Sequence, residues 1–336
     1  MAHQLTVSVA LCTHNGERFL PAQLSSILNQ TAPPREIVVS DDASTDSTVE
    51  LVQRVVSEFR NLHPDFELEL RVLRNAIPLG VARNFEQAIL ACTSELVALC
   101  DQDDVWVEDR LERMSAEFAG RPDLELLHSD AYLIDEGGRK LPGTLFSALE
   151  VSDESLLAIH SGDAFRVLLR RNLVTGATAV IRRTFAAKAA PFPDSWVHDE
   201  WLAMAASVLG EMDVLEEPLI EYRQHGTNQI GATKLSVIGK FRRILEPGAL
   251  RNRRLLKRAT ALAERFEAIQ DRISLQQLAC AHGKLLHEQL RASLPPARIA
   301  RLVPVLRELG TGRYTQFGRG FSDAMRDILQ PLEGAR

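Results

Sequence analysis

No apolar run in this chain approaches the roughly 18 residues that a membrane-spanning helix needs, so no such helix is expected. The four cysteines, Cys12, Cys92, Cys100 and Cys280, lie far apart and form no CxxC pair, which argues against a disulfide framework or a zinc ribbon. Reduced, buried thiols of a cytosolic protein are expected instead. The start, Met1-Ala2-His3-Gln4-Leu5-Thr6, lacks a basic segment followed by an apolar core. No secretory signal is therefore expected, and the location expected is cytoplasmic. Two glycine-rich fingerprints are also missing. There is neither a GxGxxG turn nor a GxxxxGK[ST] loop, which argues against NAD and P-loop chemistry.

What is present has the composition of an ordinary globular protein, 45% hydrophobic and 25% charged over 336 residues, enough for one large domain with an appendage or for two. The net charge of −6 hides an asymmetry. Residues 240–336 carry 19 lysines and arginines against 9 acids, a balance of +10, which leaves −16 for the rest. Opposite charge blocks suggest a body beside an interaction segment, and the expected division is 1–235 and a basic helical 236–336.

The body contains one stretch that folding alone does not ask for. In Leu96-Val97-Ala98-Leu99-Cys100-Asp101-Gln102-Asp103-Asp104-Val105-Trp106 an apolar, strand-like run ends in three acids among four residues. Clustered carboxylates raise one another's pKa, and a site that keeps them together usually supplies a cation. All-oxygen, carboxylate-rich chemistry suits Mg²⁺ or Mn²⁺, whose remaining positions take water and substrate phosphates. The alternative is an acidic turn capping a helix that starts near Glu108.

Around this stretch strands and helices alternate. Leu5–Leu11, Glu36–Ser40, Leu68–Leu73 and Leu96–Cys100 read as strands, and Phe19–Leu28, Ser47–Phe59, Val81–Ala91 and Glu108–Phe118 as helices. The pattern predicts βαβ units and an α/β fold with a mostly parallel sheet, in which ligands sit outside the carboxyl ends of the strands. Thr13-His14-Asn15-Gly16, Asp41-Asp42 and Asp101 to Asp104 all fall at such ends.

Several of these segments resemble family 2 glycosyltransferases. Cys12-Thr13-His14-Asn15 resembles their PTYN-like opening, and Asp41-Asp42-Ala43-Ser44-Thr45-Asp46-Ser47-Thr48 their DDGSTDGT turn. Asn75, Gly80, Val81, Ala82, Arg83 and Asn84 look like the N…G…ARN segment, and Asp101-Gln102-Asp103-Asp104 like the DxDD metal motif. His198-Asp199-Glu200-Trp201 stands where these enzymes carry a catalytic aspartate, and Tyr222-Arg223-Gln224-His225-Gly226-Thr227-Asn228 resembles a segment of rhamnosyltransferase-like bacterial members. The resemblance covers roughly residues 5–230 and departs from the pattern at Cys12, His14, Ala43 and His198, where the family has proline, tyrosine, glycine and glutamate. It implies a GT-A nucleotide-sugar-binding fold with a C-terminal helical extension. The implied activity is metal-dependent, inverting transfer of a sugar, with rhamnose as one candidate, from a UDP- or dTDP-sugar to a hydroxyl of a glycan or polyprenyl-linked acceptor in cell-surface polysaccharide synthesis.

Roles follow from what such a transfer requires. Asp199 is the expected general base, with an N-cap of the helix Trp201–Leu209 as its other reading. Asp103 with Asp101 or Asp104 would hold the ion, another acid of the cluster would meet the ribose, and His225 is the candidate additional ligand. Thr13, Asn15 and Asp42 stand at nucleotide positions, Asp42 accepting a pyrimidine imide N–H. Arg83 would approach the diphosphate, unless it is a solvated helix charge. Gly176 would let backbone pass close to donor or acceptor, or else serve a positive-φ turn.

In the tail, Arg242-Arg243 and Arg251-Asn252-Arg253-Arg254-Leu255-Leu256-Lys257-Arg258 interleave cations with apolar residues, as in an amphipathic helix on an anionic membrane or one docked on its own domain. Nucleic acid is a poor partner for so acidic a body. Two other classes remain open at this point, a sugar-nucleotide nucleotidyltransferase and a non-catalytic nucleotide-sugar or glycan-binding relative.

Overall fold

The computed structural model describes residues 5–225 and 248–331. It divides into two compact units, residues 1–164 with 173–233, and residues 165–172 with 234–336. Three parts of the sequence reading lie outside the described residues: the boundary expected at 235/236, the Gly226-Thr227-Asn228 end of the last motif, and Arg242-Arg243 with Ile244 and Leu245.

The first unit is built on a nine-stranded sheet in the order β3-β2-β1-β4-β8-β6-β9-β5, with β7 paired to β6. Its strands are β1 (Val7–Thr13), β2 (Glu36–Asp41), β3 (Glu69–Arg74), β4 (Leu96–Cys100), β5 (Val105–Trp106), β6 (Leu124–Ile134), β7 (Lys140–Thr144), β8 (Ala179–Arg182) and β9 (Glu211–Arg223). Strands β1, β2 and β4 are buried along their whole length, as near-continuous apolar runs are when helices cover both faces of a parallel sheet. The parallel half is β3-β2-β1-β4, and β9 runs parallel to β6. Antiparallel strands β8, β7 and β5 complete a mixed sheet whose α/β class is the one expected.

Register decides where chemistry gathers. Thr13 lies opposite Asp41 on β2, and Leu11 opposite Cys100 on β4, so the three loops that follow these strands leave from one edge. Pairing of Val105 with Glu221 and Trp106 with Ile220 then returns the end of β9 to the acid-rich loop.

Helices α1 (Leu20–Leu28), α2 (Thr48–Leu62), α3 (Val81–Ala91) and α4 (Arg110–Gly120) fall where the apolar periodicity puts them, within one to three residues. Shorter helices α5 (Leu145–Ala148), α6 (Asp153–His160) and α8 (Arg183–Ala189) follow, and α7 (Ala164–Arg170) falls mostly in the second unit. Helix α9 (His198–Leu209) begins three residues before Trp201, and most of its residues are buried. Its start therefore takes His198 and Asp199 into the interior.

The second unit adds α10 (Gly248–Ala268), α11 (Leu275–Ala292), α12 (Arg298–Gly310), α13 (Arg313–Phe317) and α14 (Phe321–Leu329). Phe165 of α7 stacks on Phe266 with ring centroids 5.9 Å apart. A small apolar cluster of Leu294, Val305, Tyr314 and Ala324 surrounds a buried ionic network. Arg291 donates to both carboxylate oxygens of Asp327 (2.6 and 3.1 Å) and to Glu288 (3.2 Å), while the Tyr314 hydroxyl donates to Asp327 at 2.9 Å. The basic run on α10 splits between inside and outside. Arg251 faces Asp323 at 3.5 Å and Asn252 is buried against the Arg291 carbonyl, whereas Arg253 and Arg254 are exposed. No described helix is long and apolar enough to cross a membrane.

Candidate active site

The loop after β1 and the turn after β2 are stitched together by side chains. Asn15, at a φ of 48°, takes the Ser44 hydroxyl on its N–H (2.9 Å) and offers its side-chain oxygen to the Thr45 N–H (2.8 Å). Asp41 accepts from the Thr13 hydroxyl (2.8 Å), the Ser44 hydroxyl (2.5 Å) and the Ser44 N–H (3.0 Å). Asp46 receives the Thr48 N–H at 3.1 Å and so caps the start of α2 from the turn. Within this turn Ala43 sits at a φ of 61°, a left-handed conformation that a Cβ disfavours. That is the physical reason a glycine belongs in the resembling motif.

Asp42 is buried, and its two oxygens accept the N–H groups of Leu79 (2.6 Å) and Gly80 (3.0 Å). It therefore clamps the loop before α3 to the end of β2, while a carboxylate keeps lone pairs beyond those two. Arg83, one turn into α3, pairs with Glu86 (2.6 Å) and the exposed Asp194 (2.6 Å). It is an ion-paired side chain rather than a simply solvated one.

The acid-rich loop does not cap α4, whose N-cap is Asp109 without a side-chain cap bond. Its members have different fates. Gln102 bridges to the first loop, accepting the His14 N–H at 2.8 Å and donating to the His14 carbonyl at 3.1 Å. His225, returning on the residues after β9, places Nε2 2.7 Å from Asp103 Oδ2, and its ring stacks on Phe19 at 5.1 Å. Asp104 is turned under the loop. One of its oxygens accepts the Arg223 N–H at 2.9 Å, and the other is buried with no hydrogen-bond partner among the described residues. Burial, then the charges of Asp103 and Asp101, hold the Asp104 carboxyl well above the usual carboxylate range. Burial likewise raises Asp101, with Asp103 and then Asp199 as the neighbouring charges.

Two arginines without a role in the sequence reading stand here, and Arg223 holds the loop. Arg223 donates from Nε to the Asp103 carbonyl (2.7 Å) and from Nη1 to the carbonyls of Asp135 and Glu136 (3.2 Å each). Arg110 is fully buried, lies over the Trp106 ring at 3.9 Å and donates to the Ala177 carbonyl at 2.9 Å. Two of its nitrogens have no partner among the described residues, and burial lowers its pKa to about 10. The signal for Arg223 was its place in the segment from Tyr222 to Asn228; for Arg110 the sequence offered none.

Asp199 completes the group. It lies in the first turn of α9, past the N-cap residue Val197, so it is not the cap. Its oxygens accept the N–H groups of Gly176 (3.1 Å) and Glu200 (2.7 Å). Gly176 is explained by close packing rather than by a positive-φ turn. A Cβ there would come 2.5 Å from His198 Nε2. His198 stacks on Phe85 at 3.8 Å, neither ring nitrogen has a partner among the described residues, and burial lowers its pKa to about 3.

The donor set of this edge, carboxylates with one imidazole and an orphaned Asp104 oxygen, fits a hard divalent cation in its chemistry. Among the described residues no three such side chains are gathered closely enough to enclose one by themselves. An ion here would need further oxygens, the part that diphosphate and water play at Mg²⁺ sites.

The family model described as Glycosyl transferase family 2 matches residues 8–187. The dTDP-rhamnosyl transferase RfbG of Shigella flexneri is 26% identical over 262 residues, 75% of this chain and 83% of that one. The structure of Staphylococcus aureus TarS 1-349 in complex with UDP-GlcNAc superposes with a TM-score of 0.52 at 19% identity, over 96% of this chain and 90% of that one. The mannosyltransferase PcManGT from Pyrobaculum calidifontis, in complex with GDP-Man and Mn²⁺, gives 0.51 at 19% identity over 97% and 85%. The chain spans 59% of the length of its mycobacterial relatives and 66% of one from Nostoc.

Proposed function

The chain belongs to glycosyl transferase family 2, and on that premise we propose that it transfers a sugar from a nucleoside-diphosphate donor to a hydroxyl of a glycan or polyprenyl-linked acceptor with inversion. The observation that carries this reading is the meeting of Asp103 and His225 at the carboxyl edge of the parallel strands, with Asp199 near enough for its charge to act on Asp101. In the transfer, the acceptor oxygen forms a bond to the anomeric carbon, the bond from that carbon to the phosphate oxygen breaks, and the nucleoside diphosphate leaves with the electron pair. Asp199 takes the acceptor proton, an effect worth roughly 10²–10⁴-fold for a positioned base. The N–H groups of Gly176 and Glu200 hold its carboxylate in place.

A Mg²⁺ or Mn²⁺ ion held by Asp103 and His225, with Asp101 or Asp104 beside them, would supply positive charge to the departing diphosphate. Arg83 would serve the same phosphates by exchanging the exposed Asp194 for them. Thr13 and Asn15 shape the floor under the nucleotide, and Asp42 keeps acceptor capacity for the imide N–H of a uracil or thymine. The donor proposed is thus a UDP- or dTDP-sugar, and the Shigella relative's name makes dTDP-rhamnose the first to try.

Two substitutions test the division of labour. Asp199→Asn removes the proton acceptor while keeping shape, so transfer falls by ~10²-fold or more and metal-dependent nucleotide binding survives. Asp103→Asn weakens both. Near wild-type transfer by Asp199→Asn would move the base role to the neighbouring Glu200.

A further inference from the structure

Helix α12 is amphipathic in the reverse sense. Arg301 (1% exposed), Val305 and Glu308 face inward, while Ile299 (84%), Leu302 (40%), Val303 (56%) and Leu306 (58%) face out. The spacing i, i+3, i+4, i+7 gathers those four into one stripe. The inward polar groups fix this orientation. Arg301 donates to the carbonyls of Pro295, Pro296, Asp327 and Gln330, and Glu308 bonds His287 Nδ1 at 2.8 Å. Rotating the helix would bury the apolar stripe only by breaking these contacts.

The margins of the stripe are basic. At 100° per residue Arg298 and Arg307 fall on its two sides, and the helix's one acid, Glu308, is buried on the far face. We propose that this face docks on an anionic lipid surface, the apolar stripe entering the headgroup boundary and the two arginines meeting lipid phosphates. The excess of 19 cations over 9 acids in residues 240–336 complements such a surface. A second copy fits it less well. Antiparallel pairing of two such helices would set Arg298 of one against Arg307 of the other with no exposed acid of the helix to separate them. The docking helix proposed is α12; on α10 the basic run is divided, with Arg251 and Asn252 inward and Arg253 and Arg254 exposed.

Co-sedimentation of the full chain with phosphatidylcholine vesicles, with and without phosphatidylglycerol, tests the proposal. Binding is expected to the anionic vesicles only, to weaken with salt, to fall about tenfold or more in Leu306→Glu, and to fall about fivefold in each of Arg298→Gln and Arg307→Gln. All three positions are exposed, so unchanged melting temperatures certify the variants' folds. Nucleotide binding in the same variants stays at the wild-type level, which separates failure here from failure of the transferase reading. No binding by the wild-type chain at low salt, equal binding by Leu306→Glu, or a solution dimer that Leu306→Glu dissolves would each overturn the proposal.

Discussion

Both units bury charge, and they do so in opposite ways. In the helical unit the buried acids meet arginines, Asp327 and Glu288 at Arg291 and Asp323 at Arg251, while buried Arg301 is held by four backbone carbonyls. In the sheet unit Asp101, Asp103 and Asp104 crowd together, one Asp104 oxygen has no hydrogen-bond partner among the described residues, and the fully buried Arg110 is only partly satisfied. Opposite charges that pair internally are architecture. Like charges held together mark a place completed from outside.

The sharpest way to break that contrast is to neutralise one acid in each unit. Asp327→Asn strips Arg291 of its bidentate partner in a dry interior, so unfolding of the helical unit should become easier by about 3–5 kcal/mol. Asp104→Asn removes a carboxylate already destabilised by burial and by its neighbours, so without metal the melting temperature should hold or rise. Denaturant unfolding of the two variants side by side checks both. If Asp104→Asn is destabilised as much as Asp327→Asn, the acids of the sheet unit are structural after all.

A second contrast concerns acid sensitivity. His128 is buried with neither nitrogen partnered among the described residues, and burial lowers its pKa to about 4; His198 is lowered to about 3. A histidine whose folded pKa is depressed gives up stability as pH falls below its unfolded value near 6.5, and the loss is complete below the folded value. Between pH 6.5 and 5 each should cost about 2 kcal/mol. The stability of His128→Leu, followed against pH, should show a slope shallower by roughly one proton. An unchanged slope would show that His128 is not the group that titrates.

The smallest effect concerns Ala43. Glycine at its φ of 61° should stabilise the chain by about 0.5–1 kcal/mol, read as a higher melting temperature. Such a gain would locate strain in the nucleotide-side turn, in contrast to the helical unit, where glycines occupy the positive-φ caps Gly312 and Gly320.

How much of this was legible in the sequence follows from its physics. Strands β1, β2 and β4 announced themselves because burial on both faces demands unbroken apolar runs. Strand β9 did not, since Glu211, Asp213, Glu216, Glu217 and Pro218 interrupt any such run. The loop positions of the site could be found from motif order. What each acid does there could not: Asp103 and Asp104 are adjacent in the chain, yet one meets His225 and the other anchors Arg223. Asp42 read as a base-recognition residue, but its engagement with Leu79 and Gly80 depends on a tertiary approach that no local pattern records. The tail's net charge was visible, whereas the inward pairing of Arg251, Arg291 and Arg301 required the packing of helices far apart in sequence.

The central claim is that the acid-rich edge is a metal-dependent diphosphate site, and a thermal-shift titration tests it most directly. A ligand that binds only the folded chain raises its melting temperature by mass action. UDP or dTDP together with Mn²⁺ or Mg²⁺ should raise the melting temperature of the wild-type protein, more than GDP, ADP or CDP do. Either component alone should not, and Asp103→Asn should lose the response. Equal shifts without metal, or an undiminished response in Asp103→Asn, would contradict the account.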